Sequence, residues 1–364
     1  MWQATLPLLF IYIVLLAWWP GFVQAQTNGS QTAYTIVKQN PITSVKNQYR
    51  SSTCWDYATL GFIEAELLRT RGISVDLAEM FVAYYDYIDQ ADYHVRMHGH
   101  SRFSEGGSAD DVFAVIREHG ICPETAMARP GSLVGDSLAN FTEFFSVLTP
   151  YVESVAQSKQ KTLSPQWKQG LRGILSAYLG DVPETFTYEG REYTPKSFAE
   201  SLDIDWTNYA SLTSFSHHPY YENFVIEAPY KWRPRPSLNL PLDELEQLLD
   251  DALMKGYTAV WGGDTSDNGF LRTGTAFAPE KGDATLRQRY FDNRQATYDH
   301  VMLIYGLARA SDGRKLYLVK NSWGLSGSQQ GIWLMDADYL RLFTTYLYLC
   351  RDALPKRVSQ LTAR

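Results

Sequence analysis

Cysteine is scarce in this chain, three in 364 residues, which is too few for a scaffold built on disulfides. Charge is modest as well. Charged side chains make up 20% of the sequence, and 33 basic against 40 acidic residues leave a formal net charge of −7. That balance argues against nucleic acid or an anionic membrane surface as the main partner. There is no block of like charge, no low-complexity tract and no evident internal repeat. A complete metal-ligand set is also missing, although one histidine spacing could suggest a metal. His94, His98 and His100 lie close together, but neither a cysteine nor a paired carboxylate completes a tetrahedral set, so a solvated polar loop and no metal are expected there.

What is present supports a large core: 45% of the residues are apolar, enough for one large domain or two lobes. Residues 1–25 stand apart. Leu6 to Val23 is apolar, is broken by Pro20-Gly21, and runs into Val23-Gln24-Ala25, a small-x-small pattern that reads as a signal-peptidase site leaving Gln26 first. No Lys or Arg precedes the run, and an uncleaved membrane anchor is the alternative. Either way an exported, periplasmic or extracellular protein is expected, with the membrane as a partner only through an uncleaved leader. Cys122 and Cys350 both sit where apolar residues belong; two reduced core thiols are the favoured reading and one disulfide the other.

Two stretches carry chemistry. "NQYRSSTCWDY" (residues 47–57) places Gln48 six positions before Cys54, and "DHVMLIYG…YLVKNSWG" (residues 299–324) holds His300 and Asn321. A thiol nucleophile needs a base, a group that orients the base, and a donor for the oxyanion. Apolar residues at helical spacing after Cys54, caps offered by Ser51, Ser52 and Thr53, and a stop at Gly72 predict a helix that starts at the nucleophile. Its dipole, with a neighbouring imidazolium, would then give the sulfur thiolate character. His300 opens one predicted strand and Asn321 closes the next, so antiparallel pairing would set them side by side. Trp323 would shield that contact from water.

These stretches resemble the papain-like cysteine peptidases. The blocks "VKNQYRSSTCWDYATLGFIEAELL", "FSEGGSADDVFAVIREHGICPE", "LTSFSHHPYYENFVIEAP" and "RDALPK" are similar to the bleomycin hydrolase and bacterial aminopeptidase C branch. The resemblance implies an α+β, two-lobed papain-like fold that needs no cofactor, with peptide substrates and room for a homo-oligomer. It implies Cys54 as nucleophile, His300 as base and acid, Asn321 as orienter and Gln48 as oxyanion donor, with Trp55 and Trp323 in support. Gly106 and Gly107 would let a peptide lie close and pair strand-like. An aminopeptidase is implied because in that branch the C-terminal tail enters the cleft, although here "RVSQLTAR" after Lys356 departs from what that transfer needs. Endopeptidase action is the nearest alternative, and a non-hydrolytic peptide-binding or acyl-transfer protein is a further one.

The expected organisation is a helical lobe over 26–129, a mostly helical insertion over 130–235 and a β lobe over 236–364. The lead over 26–47 is too short for a folded inhibitory propeptide. His217 and His218, beside Pro219 in an aromatic segment, are read as structural and not as second bases.

Overall fold

The computed structural model describes residues 33–127, 133–134 and 138–362. The leader over residues 1–25, its small-x-small pattern, Gln26 and the terminal Arg364 lie outside the described residues. Among the described residues, no helix is long and apolar enough to cross a membrane.

The chain enters through a strand, Tyr34–Gln39, and then forms α1 (Cys54–Arg71), α2 (Glu79–Arg96) and α3 (Ala109–His119). Every residue of α1 from Cys54 to Leu67 is buried, because α1 is the central helix, wedged between the other helices and the sheet. Gly72 ends it in the left-handed region at φ 66°, where a side chain would be strained. The expected side-chain cap is not made. Thr53 is the capping residue by position, but its hydroxyl bonds Ser51 at 2.5 Å, and its carbonyl accepts from the Asp56 and Tyr57 amides.

The segment expected to be a helical insertion supplies α4 (Thr142–Ala156), α5 (Gln166–Leu179) and α6 (Pro195–Ser201). Beyond α6 it is not helical. Tyr209–Thr213 is a strand of the main sheet, buried on both faces, so it lacks the alternating pattern that announces a half-exposed strand. The second half of the chain adds α7 (Leu242–Met254), α8 (Ala284–Asp292), α9 (Ala337–Phe343) and α10 (Lys356–Thr362) around strands Ala259–Gly263, His300–Ala310, Lys315–Lys320, Ile332–Asp336 and Thr344–Cys350.

His300–Ala310 organises the sheet. Its first half pairs antiparallel with Ala259–Gly263, its second half with Tyr34–Gln39, and its other edge with Lys315–Lys320, with a bulge between Ile304 and Gly306. One hydrophobic cluster fills the space between the helical lobe and the sheet, and a second packs α7 and α9 against the opposite face. Cys122 and Cys350 are free and buried, so the disulfide alternative is not formed.

Candidate active site

Cys54 begins α1 beside the sheet, and the residues just before it are held tightly. Tyr49 and Ser52 occupy the left-handed region at φ 49° and 50°, an uncommon conformation for side-chain-bearing residues that bends the chain into the helix start. The same segment is stitched to the second lobe. The Gln48 amide donates to the Ser322 carbonyl at 2.8 Å, the Gly324 amide donates to the Lys46 carbonyl at 3.0 Å, and Asn47 bridges to Trp323. Residues nearly 300 positions apart thereby share one wall of a cleft lined by Gln48, Cys54, Glu105, Tyr298, His300 and Trp323 among others.

The antiparallel register puts Leu303 opposite Lys320, so His300 and Asn321 stand at neighbouring strand ends as expected. His300 Nε2 and Asn321 Oδ1 are 2.8 Å apart. An amide oxygen only accepts, so the bond fixes the proton on Nε2 and leaves Nδ1 as the basic nitrogen. The Ser322 amide donates to the same oxygen at 2.8 Å, which settles the orientation of the Asn321 amide. Ser322 also acts through its hydroxyl, donating to Gln48 Oε1 at 2.6 Å and thereby turning the Gln48 NH2 outward as a donor. Sequence reading passed over Ser322, although it lies inside the Asn-Ser-Trp run. The Trp323 ring lies 4.9 Å from the His300 ring and is itself held edge-on by Trp333 and Phe270.

Burial dominates the electrostatics. It pushes the Cys54 thiol up to about 12, opposed by the Val301 amide and raised further by Asp299. It pushes the His300 imidazole down to about 4, opposed by Asn321. Burial thus works against the charged form of both groups. The expected thiolate character at the helix start is opposed by burial, since Cys54 is only 7% exposed and an anion there loses hydration.

Trp55 is buried, donates from Nε1 to the Glu105 carbonyl at 3.0 Å, and stacks so closely on Gly107 that an added Cβ would lie 2.9 Å from its ring. Gly106 is pressed in the same way against Tyr230, at 2.5 Å. Both glycines line the cleft. Their carbonyls, however, already accept from the protein, Gly106 from Gln90 Nε2 at 3.1 Å and Gly107 from Tyr298 Oη at 2.6 Å. The absence of side chains here thus serves packing against aromatic rings, and the expected strand-like pairing through these carbonyls meets internal donors first.

Two carboxylates line the same cleft and were not anticipated. Burial raises Glu105, with Ser52 opposing through a hydrogen bond. Burial and then Asp264 raise Asp299 to about 6, with the Thr265 amide and hydroxyl opposing. Neither has a cationic partner among the described residues. Arg102, a guanidinium lining the same cleft, packs on Tyr230: it lies 4.0 Å from the ring centroid and donates to the hydroxyl at 2.8 Å. The one sequence signal for Asp299 was its position directly before His300.

The other histidines lie elsewhere. His94 is not in a solvated loop: it belongs to α2, is buried, and meets Ser101 Oγ at 3.0 Å and Glu153 Oε1 at 3.2 Å. His217 and His218 converge on Glu227 at 3.2 and 2.9 Å. Gln288 Oε1 accepts from Ser216, so its Nε2 donates to His217 Nδ1 at 3.0 Å. His217 consequently carries its proton on Nε2, toward Glu227, and offers a cation no lone pair there.

Residues 356–362, which the resemblance would send into the cleft, form α10 against the strand Ser237–Asn239. Val358 is buried, Asn223 Nδ2 donates to the Leu361 carbonyl at 3.0 Å, and Arg351 donates to the Thr362 carbonyl at 2.8 Å. Thr362 borders a depression with Trp206 and Arg235 that shares no lining residue with the Cys54 cleft.

A helical lobe carrying a cysteine at a helix start, facing a sheet that carries a histidine and an asparagine, defines a cysteine peptidase of papain-like fold. The chain belongs to the Peptidase C1-like family, whose pattern it matches over residues 23–364. It is similar to the aminopeptidase C of Listeria monocytogenes, 22% identical with 86% of this chain and 81% of the relative covered. It is also similar to the aminopeptidase G of Lactobacillus delbrueckii subsp. lactis, 22% identical with 85% and 80% covered. Among solved structures it is similar to PepW of Lactobacillus rhamnosis, with TM-score 0.73, 18% identity, and 91% of this chain and 85% of that chain covered, which shows the shared fold.

Proposed function

We propose that this protein is a cysteine aminopeptidase. His300 Nδ1 takes the Cys54 proton as Sγ attacks the carbonyl after the first residue of a peptide. The oxyanion is held by Gln48 Nε2 and the Cys54 amide. His300 returns the proton to the leaving amine as the C–N bond breaks and a thioester remains. Water then attacks the thioester, gives its proton to His300, and restores the thiol while the free amino acid leaves. Burial of both groups favours proton transfer and attack occurring together.

The observation that carries the exopeptidase side is the pair of carboxylates, Glu105 and Asp299, that line the cleft without a cationic partner among the described residues. A free terminal ammonium supplies the missing charge, and an internal peptide bond does not. The names of the relatives agree with this reading. The test is the product pattern from an unblocked peptide and its N-acetylated twin, with labelling of Cys54 by a cysteine-directed epoxide. Equal cleavage of both peptides makes the enzyme an endopeptidase; labelling without any hydrolysis makes it a binding or acyl-transfer protein.

Export is proposed from the apolar leader and its small-x-small end. Mature protein that begins at Gln26 in the periplasmic or extracellular fraction would support it, and recovery of intact leader from the cytosol would refute it.

A further inference from the structure

His300 delivers its proton to the leaving amine, so the leaving side of the substrate lies toward His300 and the Trp323 that covers it. The acyl side must lie opposite, along the loop Glu105–Gly107. A peptide that extends further in that direction has to pair its own N–H groups with backbone carbonyls of the loop. Each of the three already accepts from a side chain of the protein. The Glu105 carbonyl accepts from Trp55 Nε1 at 3.0 Å and from the Tyr87 hydroxyl at 3.2 Å. The Gly106 carbonyl accepts from Gln90 at 3.1 Å, and the Gly107 carbonyl from Tyr298 Oη at 2.6 Å.

The first three bonds tie the loop to α1 and α2. The fourth comes from Tyr298 in the cleft wall. Tyr298 stands two residues before His300, its hydroxyl also meets the Tyr346 hydroxyl at 3.2 Å, and its ring packs edge-on to Tyr230, which presses on Gly106. Gly107 is buried against the Trp55 ring. The tail segment 356–362 takes no part in it.

We infer that Tyr298 is a specificity-determining residue: by donating to the Gly107 carbonyl from the cleft wall, it closes the acyl side of the cleft to pairing beyond one substrate residue. The ligand class is a peptide whose amino-terminal residue alone fits upstream of the cleaved bond. This deepens the aminopeptidase reading and rests on it.

The experiment compares kcat/KM for an amino-acyl aminomethylcoumarin with a free amine and for an N-acetyl-dipeptidyl aminomethylcoumarin, in the wild type, Tyr298→Phe and Tyr298→Ala. Tyr298→Phe removes only the hydroxyl. The freed carbonyl should shift the ratio toward the blocked dipeptide by about 10-fold, one hydrogen bond's worth, mostly through KM. Tyr298→Ala, which also removes the ring, should shift it further. A wild type that is selective for free amino ends while both variants keep its ratio overturns the closure and leaves the aminopeptidase reading standing. A wild type that already cuts the blocked dipeptide as well as the free substrate overturns both. Thermal melting of the two variants shows that an altered ratio belongs to folded enzyme.

Discussion

Asn321 Oδ1 accepts at once from His300 Nε2 and from the Ser322 amide, each at 2.8 Å, so one amide oxygen fixes both the ring's tautomer and its own orientation. Replacing it frees the imidazole to turn and to move its proton to the wrong nitrogen. Asn321→Ala should therefore lower kcat by roughly 10²-fold, the lower range for a positioned acid–base group, with KM little changed. A variant with wild-type kcat would show that the bond is structural only.

Ser322 provides a separate handle on the oxyanion. Its side chain reaches Gln48 through a 2.6 Å hydroxyl bond, a contact separate from the one its amide makes to Asn321. Gln48→Ala should lower turnover by on the order of 10²-fold. Ser322→Ala should lower it less, and should cost nothing further when added to Gln48→Ala. Additive losses in the double variant would mean that Ser322 has another task.

The three cysteines divide cleanly. Cys54→Ala should abolish hydrolysis with the fold intact. Cys122→Ser and Cys350→Ser should keep their activity; Cys122→Ser should lose about 1–3 kcal/mol of stability, since it places a hydroxyl among buried apolar neighbours, and Cys350→Ser less, since Asn208 Nδ2 already donates to that sulfur. Activity assays and denaturant midpoints decide this, and hydrolysis surviving in Cys54→Ala sinks the mechanism.

The pH behaviour follows from the direction of each shift. A neutral pair, with the thiol near 12 and the imidazole near 4, predicts that alkylation of Cys54 by iodoacetamide is slow at neutral pH and rises steadily into the alkaline range. A plateau beginning in mildly acidic solution would instead reveal a thiolate–imidazolium pair. Stability gives a second reading. The folded imidazole titrates below its ordinary 6.5, so the unfolded chain binds the extra proton between the two values. Stability from this group is complete above 6.5 and is lost as pH falls through about 4. His300→Gln should lose less stability over that interval than the wild type, measured by denaturant midpoints.

Asp299 makes substrate preference depend on pH as well. Raised to about 6, it carries its charge at neutral pH and loses it below that value. KM for free-amine substrates should rise as pH falls through about 6, and Asp299→Asn should flatten that rise. An unchanged profile would assign the ammonium to Glu105 alone.

Much of the site could be read along the chain. Gln48, Cys54, His300 and Asn321 announce themselves because a thiol mechanism needs those residue types and because local rules place them: a helix starts at Cys54, and neighbouring strand ends carry the other two. Other features come from contacts between residues far apart in sequence, on which no local pattern bears. Tyr298 meets Gly107 across 191 positions, and Ser322 meets Gln48 across 274. His94 looked like a loop residue until α4 and Ser101 enclosed it, and Tyr209–Thr213 hid its strand character because both its faces are covered. The same holds for charge. Sequence determined which groups could ionise and that a helix dipole would favour the thiolate, whereas only the tertiary structure decided how much water each group keeps, and that burial works against charge on both Cys54 and His300.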